Sequence, residues 1–343
     1  MRLQDFDYHL PQELIAQAPL PNRDSSRMMI LKRQTGEILH TKFSRFPEVI
    51  QKNSLLVLNN SRVIPARLYG KRNDRTVEFL LIQKSGERTW KVLCRPAKHV
   101  RKGDRIVFSN HLFAAVAEEL DEGARLLTFN RKNIDSELNK VGYAPLPPYI
   151  KRKKQTETIR QNDLDRYQTV FADRPGSIAA PTAGLHFTKN MLDDIKKRGA
   201  GLVEVTLHVG LATFQPIRED KIENHQMLEE TAMISSEAAK KIEEARKSGR
   251  DITAVGTTSV RTLESFVKDG KMIAGTCSTS LFIRPGFKFQ VVDHILTNFH
   301  LPKSTLLMLV AAFAGHDFVM SAYREAVRLG YRFFSYGDCM LIL

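Results

Sequence analysis

The chain has 343 residues, 42% hydrophobic and 26% charged, the profile of a globular protein of about two domains and not of a disordered tail. Its 52 Lys and Arg against 38 Asp and Glu give a net charge of +14, which favours a polyanionic partner, since phosphate contacts release condensed counterions. Three scattered cysteines, Cys94, Cys277 and Cys339, argue against a disulfide framework or a thiolate zinc site and fit a reducing compartment.

The N-terminal stretch carries acidic residues and no apolar signal core. The longest apolar run, residues 306–314, is too short for a bilayer. A cytoplasmic monomer without a membrane partner is expected. In chain order, Leu55-Leu56-Val57-Leu58 reads as a buried strand running into the polar turn Asn59-Asn60-Ser61-Arg62. Residues 67–147 read as all-β: short apolar stretches at 79–82, 105–108, 112–117 and 126–129 are divided by the turns Lys84-Ser85-Gly86 and Asp121-Glu122-Gly123. That stretch holds 16 Lys and Arg against 10 Asp and Glu. Pro145, Pro147 and Pro148 then make a stiff linker before the basic run Lys151-Arg152-Lys153-Lys154.

From about residue 166, strands and helices alternate. Thr188 caps a predicted helix with Met191, Leu192 and Ile195 on one face, ended by Gly199. A strand at 203–209 follows, then a charged helix capped by Ser236 and a strand at 252–255. Gly256 opens a helix with Val260, Leu263 and Val267 on its core face, and Ser304 caps an apolar helix that stops at Gly315. The alternation predicts an α/β class. The expected architecture is a large α/β domain, residues 1–66 plus 148–343, with the all-β unit 67–147 inserted.

Four constellations can carry chemistry. Residues 176–187 combine small residues and glycines, which let a ligand approach the backbone, with the Thr182 hydroxyl, Gly184 and His186; a tight packed turn fits them equally. Glu204, Thr206 and His208 share one face of a strand and line either a cavity or a solvated edge. In Gly256-Thr257-Thr258-Ser259-Val260-Arg261, a glycine turn opens a helix with free N–H groups, an anion site; an Arg261–Glu264 surface pair is the competing account. Asn298 with His300, and Asp338 after Tyr336-Gly337, sit at strand ends, where α/β proteins bind ligands. No P-loop, dinucleotide-binding glycine motif or H-E-x-x-H occurs. His186, His208, His225 and His300 lack helical ligand spacing, so no metal is expected.

Together these segments resemble the S-adenosylmethionine:tRNA ribosyltransferase-isomerase family of queuosine biosynthesis. The resemblance runs over nearly the whole chain, through Leu14-Ile15-Ala16-Gln17, Asn59-Asn60-Ser61-Arg62-Val63-Ile64-Pro65-Ala66-Arg67 and Asp165-Arg166-Tyr167-Gln168-Thr169-Val170-Phe171 to Tyr336-Gly337-Asp338. It implies a large barrel-like α/β domain with an inserted all-β domain. It also implies transfer and isomerisation of the ribosyl moiety of S-adenosylmethionine onto 7-aminomethyl-7-deazaguanine at the tRNA wobble position. The products are epoxyqueuosine in tRNA, adenine and methionine; S-adenosylmethionine is a co-substrate and no cofactor is bound.

That chemistry needs a base for the proton beside the sulfonium, a donor for departing adenine and a neutral, positioned amine. His186 is the leading acid/base, with His208 and His300 as alternatives or donors. Thr182, Gly184, Gly256, Thr257, Thr258 and Arg261 are expected to bind S-adenosylmethionine. Asn60, Arg62, Arg166, Tyr167, Asn298 and Asp338 are expected at the nucleotide, and the basic run 151–154 at phosphates. Two departures stand out: Leu228 takes the place of the second histidine of the family's H-x-M-H-x-E segment, and Ala212 replaces a frequent glycine. A metal-dependent nucleoside hydrolase and a non-enzymatic RNA-binding module are the competing readings.

Overall fold

The computed structural model describes residues 1–152, 156–210, 217 and 219–343; Lys153, Lys154 and Ala212 lie outside them. Its main body is a nine-stranded mixed sheet in the order Gly275–Thr279, Glu230–Ile234, Gly201–Leu207, Leu55–Asn59, Ile252–Val255, His294–Asn298, Cys339–Ile342, Arg27–Lys32 and Glu37–Lys42. The four strands from Gly201–Leu207 to His294–Asn298 are parallel. Their apolar runs are buried on both faces, as parallel strands covered by helices must be. Leu55 and Val57 enter one apolar layer with Ile252, Ala254 and Ile295, while Leu56 and Leu58 enter the opposite layer with Val255, Leu296 and Leu341.

Helices on the first layer include Ser236–Lys247, Thr257–Ser265, Thr305–Ala314 and His316–Arg328; Lys189–Lys197 covers the second with Phe43, Phe46 and Phe187. Thr188 Oγ1 accepts from Met191 N and Ser304 Oγ from Leu307 N, as the sequence predicts. The cap of the charged helix is Ser235, one residue before the expected Ser236, because it is Ser235 Oγ that accepts from Ala238 N. Helices Thr305–Ala314 and His316–Arg328 meet at a bend of 117°, where Gly315 has φ +90°. Among the described residues no single helix is long and apolar enough to cross a membrane.

Six antiparallel strands, Ala124–Phe129, Thr89–Arg95, Arg75–Lys84, Arg67–Arg72, Arg105–Val107 and Phe113–Glu119, close into a barrel with its own core around Leu68, Phe79, Leu81, Val92, Val116 and Leu127. Two of them, Arg67–Arg72 and Thr89–Arg95, are not evident from the sequence, since charged residues interrupt their apolar alternation. All six lie in sequence between Leu55–Asn59 and Gly201–Leu207, which pair with each other in the large sheet. The class is α/β, with a large sheet and a separate closed β-barrel.

Candidate active site

The carboxyl ends of the parallel strands lie side by side, where open α/β sheets bind ligands. Beyond them the 3-10 turn Thr182–His186 and the start of helix Thr257–Ser265 face the segment 297–301 across a cavity of about 70 Å³. Gly256 makes the turn into that helix at φ +88°, a backbone that a side chain would strain. Tyr149, Tyr167, Thr182, Thr258, Asn298 and His300 all line the cavity, with Phe299 and Phe334. Tyr167 Oη, Thr258 Oγ1 and Asn298 Oδ1 are buried and have no hydrogen-bond partner. Buried polar atoms are rarely left unpaired, and three around one cavity mark a place for a polar ligand.

The histidines occupy different settings. His300 lines this cavity, its Nε2 is 2.8 Å from Thr297 Oγ1, and burial pushes its pKa down to about 3. Tyr8 Oη donates to its carbonyl, fixing the backbone. His186 is 4% exposed. Asn298 Nδ2 donates to its Nε2 at 3.2 Å, so Nδ1 carries the hydrogen and donates to Ser26 Oγ at 2.7 Å. Burial first, then the positive Arg23 and Arg332, lower its pKa to about 4. With both nitrogens engaged, His186 touches the cavity only through Asn298.

His208 lies just past the strand Gly201–Leu207, and burial lowers its pKa. At the end of that strand Asn59 bonds both polar groups of Leu207: its Nδ2 donates to the carbonyl at 3.1 Å and its Oδ1 accepts the N–H at 3.1 Å. Glu204, Thr206 and His208 do not share one site. Glu204 and Thr206 converge on the Asn60 amide and line a separate groove. His208 Nδ1 is 2.7 Å from Ser61 Oγ, which is 2.7 Å from Ser177 Oγ. A Cβ at Gly176 (φ +147°) would stand 2.9 Å from Cε1 and Nδ1 of the ring, so only a glycine lets the imidazole lie there. No motif links Ser61, Ser177 or Gly176 to this histidine, because they reach it through the pairing of Arg174–Ser177 with Ser61–Val63.

His208 lines a second cleft, about 760 Å³, between the barrel and the sheet. Trp90, Lys84 and Lys91 come from the barrel side; Ile178, Leu228 and Glu229 from the other. Val209 lines both the cleft and the smaller cavity, and Ile178 and Ala179, adjacent in sequence, line one each.

The remaining candidates divide. Thr257 lines the strand-end cavity with Gly256. Gly184 packs under Phe171 and Thr169, where a Cβ would stand 2.7 and 2.8 Å from them. Arg261 is buried and bonded to Glu230, not to Glu264, and its Nη2 is left without a partner. Glu264 instead accepts from the backbone of Gln290, Val291 and Val292. Arg166 donates to the carbonyls of Leu20 and Pro21, Arg62 is exposed, and Asp338 is held by Arg27 and Arg332 N. Of the basic run, Arg152 pairs with Asp163 at 2.7 Å. His225 packs edge-on against Phe282. Among the described residues no three His, Cys, Asp or Glu side chains stand together as a metal set.

A family model described as a queuosine biosynthesis protein matches residues 3–342. A protein of Carboxydothermus hydrogenoformans named S-adenosylmethionine:tRNA ribosyltransferase-isomerase is 49% identical over 345 residues, covering 100% of both chains. One of the same name from Halothermothrix orenii is 47% identical, again over 100% of both. The crystal structure of the S-adenosylmethionine tRNA ribosyltransferase of Thermotoga maritima aligns with a TM-score of 0.57 at 41% identity, over 99% of this chain and 100% of that one.

Proposed function

This chain belongs to the queuosine biosynthesis protein family, and we propose that it transfers and isomerises the ribosyl moiety of S-adenosylmethionine onto 7-aminomethyl-7-deazaguanine in a tRNA anticodon. The observation that carries this reading is the strand-end cavity with three unpaired buried polar atoms, next to a cleft of ligand size that shares Val209 in its wall. At about 70 Å³ the cavity takes part of S-adenosylmethionine, and the rest extends toward the cleft.

The aromatic rings of Tyr149, Tyr167, Phe299 and Phe334 suit the sulfonium, a cation attracted to π faces, and the neutral His186 and His300 do not repel it. The start of helix Thr257–Ser265, with the free Thr258 hydroxyl, suits the methionyl carboxylate. Asn298 Oδ1 can accept from the adenine amino group. His208 is the base. In the tautomer whose Nδ1–H donates to Ser61 Oγ, 2.7 Å away, the Nε2 lone pair is free, and burial, which lowers the pKa, favours the neutral ring. His186 is then a positioning residue that orients Asn298. Residues 67–147 are the inserted unit and contribute one wall of the cleft, and the protein acts in the cytoplasm as a monomer.

The test supplies tRNA bearing the modified base and S-adenosylmethionine, with a chelator present. One adenine and one methionine released per wobble nucleoside converted is the expected result. Loss of turnover in chelator would point to a metal-dependent hydrolase instead. Tight tRNA binding indifferent to S-adenosylmethionine would point to a binding module.

A further inference from the structure

The occupant of the cleft between barrel and sheet follows from the ribosyl-transfer reading, on which it rests. The cleft is large, about 760 Å³, and partly apolar, with the chain's one tryptophan, Trp90, half-buried on the barrel side. Opposite stands Leu228, 50% exposed, an apolar side chain that no packing requirement explains. Its charges are of both signs: Lys84 and Lys91 on the barrel strands, Asp121 and Glu229 elsewhere on the walls. His208 stands in the same cleft, and the next residue, Val209, lines both the cleft and the strand-end cavity.

We propose that this cleft receives the unstacked acceptor base of the RNA, with its ring against Trp90 and Leu228. A flat aromatic body needs apolar faces, and bases splayed from a loop are commonly stacked on aromatic side chains. The mixed charges fit that occupant in particular. The flanking phosphates meet Lys84 and Lys91, while Asp121 and Glu229 draw in the aminomethyl arm in its cationic solution form; the arm gives up that proton to solvent in the cleft and passes His208 to the cavity as the neutral amine. Leu228 widens the apolar face at that point.

Because Trp90 is the only tryptophan, its fluorescence reports on this cleft in the unaltered protein. Titration with an anticodon hairpin carrying the aminomethyl base should quench Trp90 saturably. A hairpin abasic at the wobble position should bind without that quench, and S-adenosylmethionine alone should leave the signal unchanged. Trp90→Ala should raise KM for the tRNA roughly five- to hundred-fold, the worth of one base stack, leaving KM for S-adenosylmethionine unaltered. Trp90→Phe, which keeps a stacking face and guards against misfolding of the alanine variant, should recover most of the loss.

Hairpin binding and turnover with Trp90 unquenched, or quenching by S-adenosylmethionine alone, would overturn the placement while leaving the functional reading intact. Failure of the full chain to bind either hairpin would overturn both.

Discussion

The barrel and the large sheet treat buried polarity in opposite ways. Among the described residues, the only buried side-chain atom in the six barrel strands that lacks a hydrogen bond is Arg67 Nε, which still lies 3.7 Å from Glu78. In the rest of the described chain, Tyr167, Thr258 and Asn298 each keep one unpaired atom on the strand-end cavity, and Arg166, Thr169, Asp251, Arg261, His294, Arg332 and Tyr336 keep others elsewhere. Unpaired buried groups cost stability, and a fold tolerates them where a ligand completes them. The barrel is therefore a satisfied scaffold that lends one wall to a cleft, and the strand-end cavity of the sheet holds the open polar groups that a ligand would complete.

That contrast can be broken experimentally, and the largest effect falls on the buried ion pair of the sheet. Arg261→Met leaves Glu230 buried without its counter-ion, and urea denaturation should show a loss of about 3–5 kcal/mol. A loss below about 1 kcal/mol would mean that the pair is not sealed from water. Next is Gly176→Ala, whose Cβ displaces the His208 ring. A ring shift of about 1 Å should lower kcat roughly 10²-fold with KM for S-adenosylmethionine little changed, and unchanged turnover would free the histidine from its assigned position.

Acidification comes third. His186 and His300 have folded pKa values of about 4 and about 3, below the ordinary 6.5, so below pH 6.5 the unfolded chain binds more protons than the folded one. Stability present above pH 6.5 should be lost as pH falls toward 4, by up to about 1.4 kcal/mol per pH unit for each histidine. A midpoint of unfolding that is flat from pH 7 to 5 would contradict burial of both rings. The smallest effect belongs to the barrel surface: Arg101→Ala, which removes an exposed pair with Glu119 at 3.6 Å, should change stability by less than about 1 kcal/mol.

The same contrast explains what the sequence discloses. Barrel strands pair with near neighbours in the chain, as Arg105–Val107 with Phe113–Glu119 and that strand with Ala124–Phe129, so local apolar stretches and turns reveal an all-β unit. In the large sheet, Leu55–Asn59 pairs with Ile252–Val255, and Arg27–Lys32 with Cys339–Ile342. Motif reading finds Thr182, Thr258, Asn298 and His300 one by one, and only the fold puts them in one cavity. What motif reading misses is the setting of each group. Ser26 faces His186, and Glu230 captures Arg261 where the chain offers the nearer Glu264. Such partners are fixed by strand register, which no local spacing encodes.

The most direct measurement is single-turnover transfer of ribose label from S-adenosylmethionine into tRNA by the wild type and by His208→Asn. Label should enter the tRNA with the wild type. In the variant both substrates should bind with unchanged affinity, with transfer slowed about 10²–10⁴-fold, the contribution of a positioned base. Equal transfer rates in the two proteins would contradict that role and move the base away from His208.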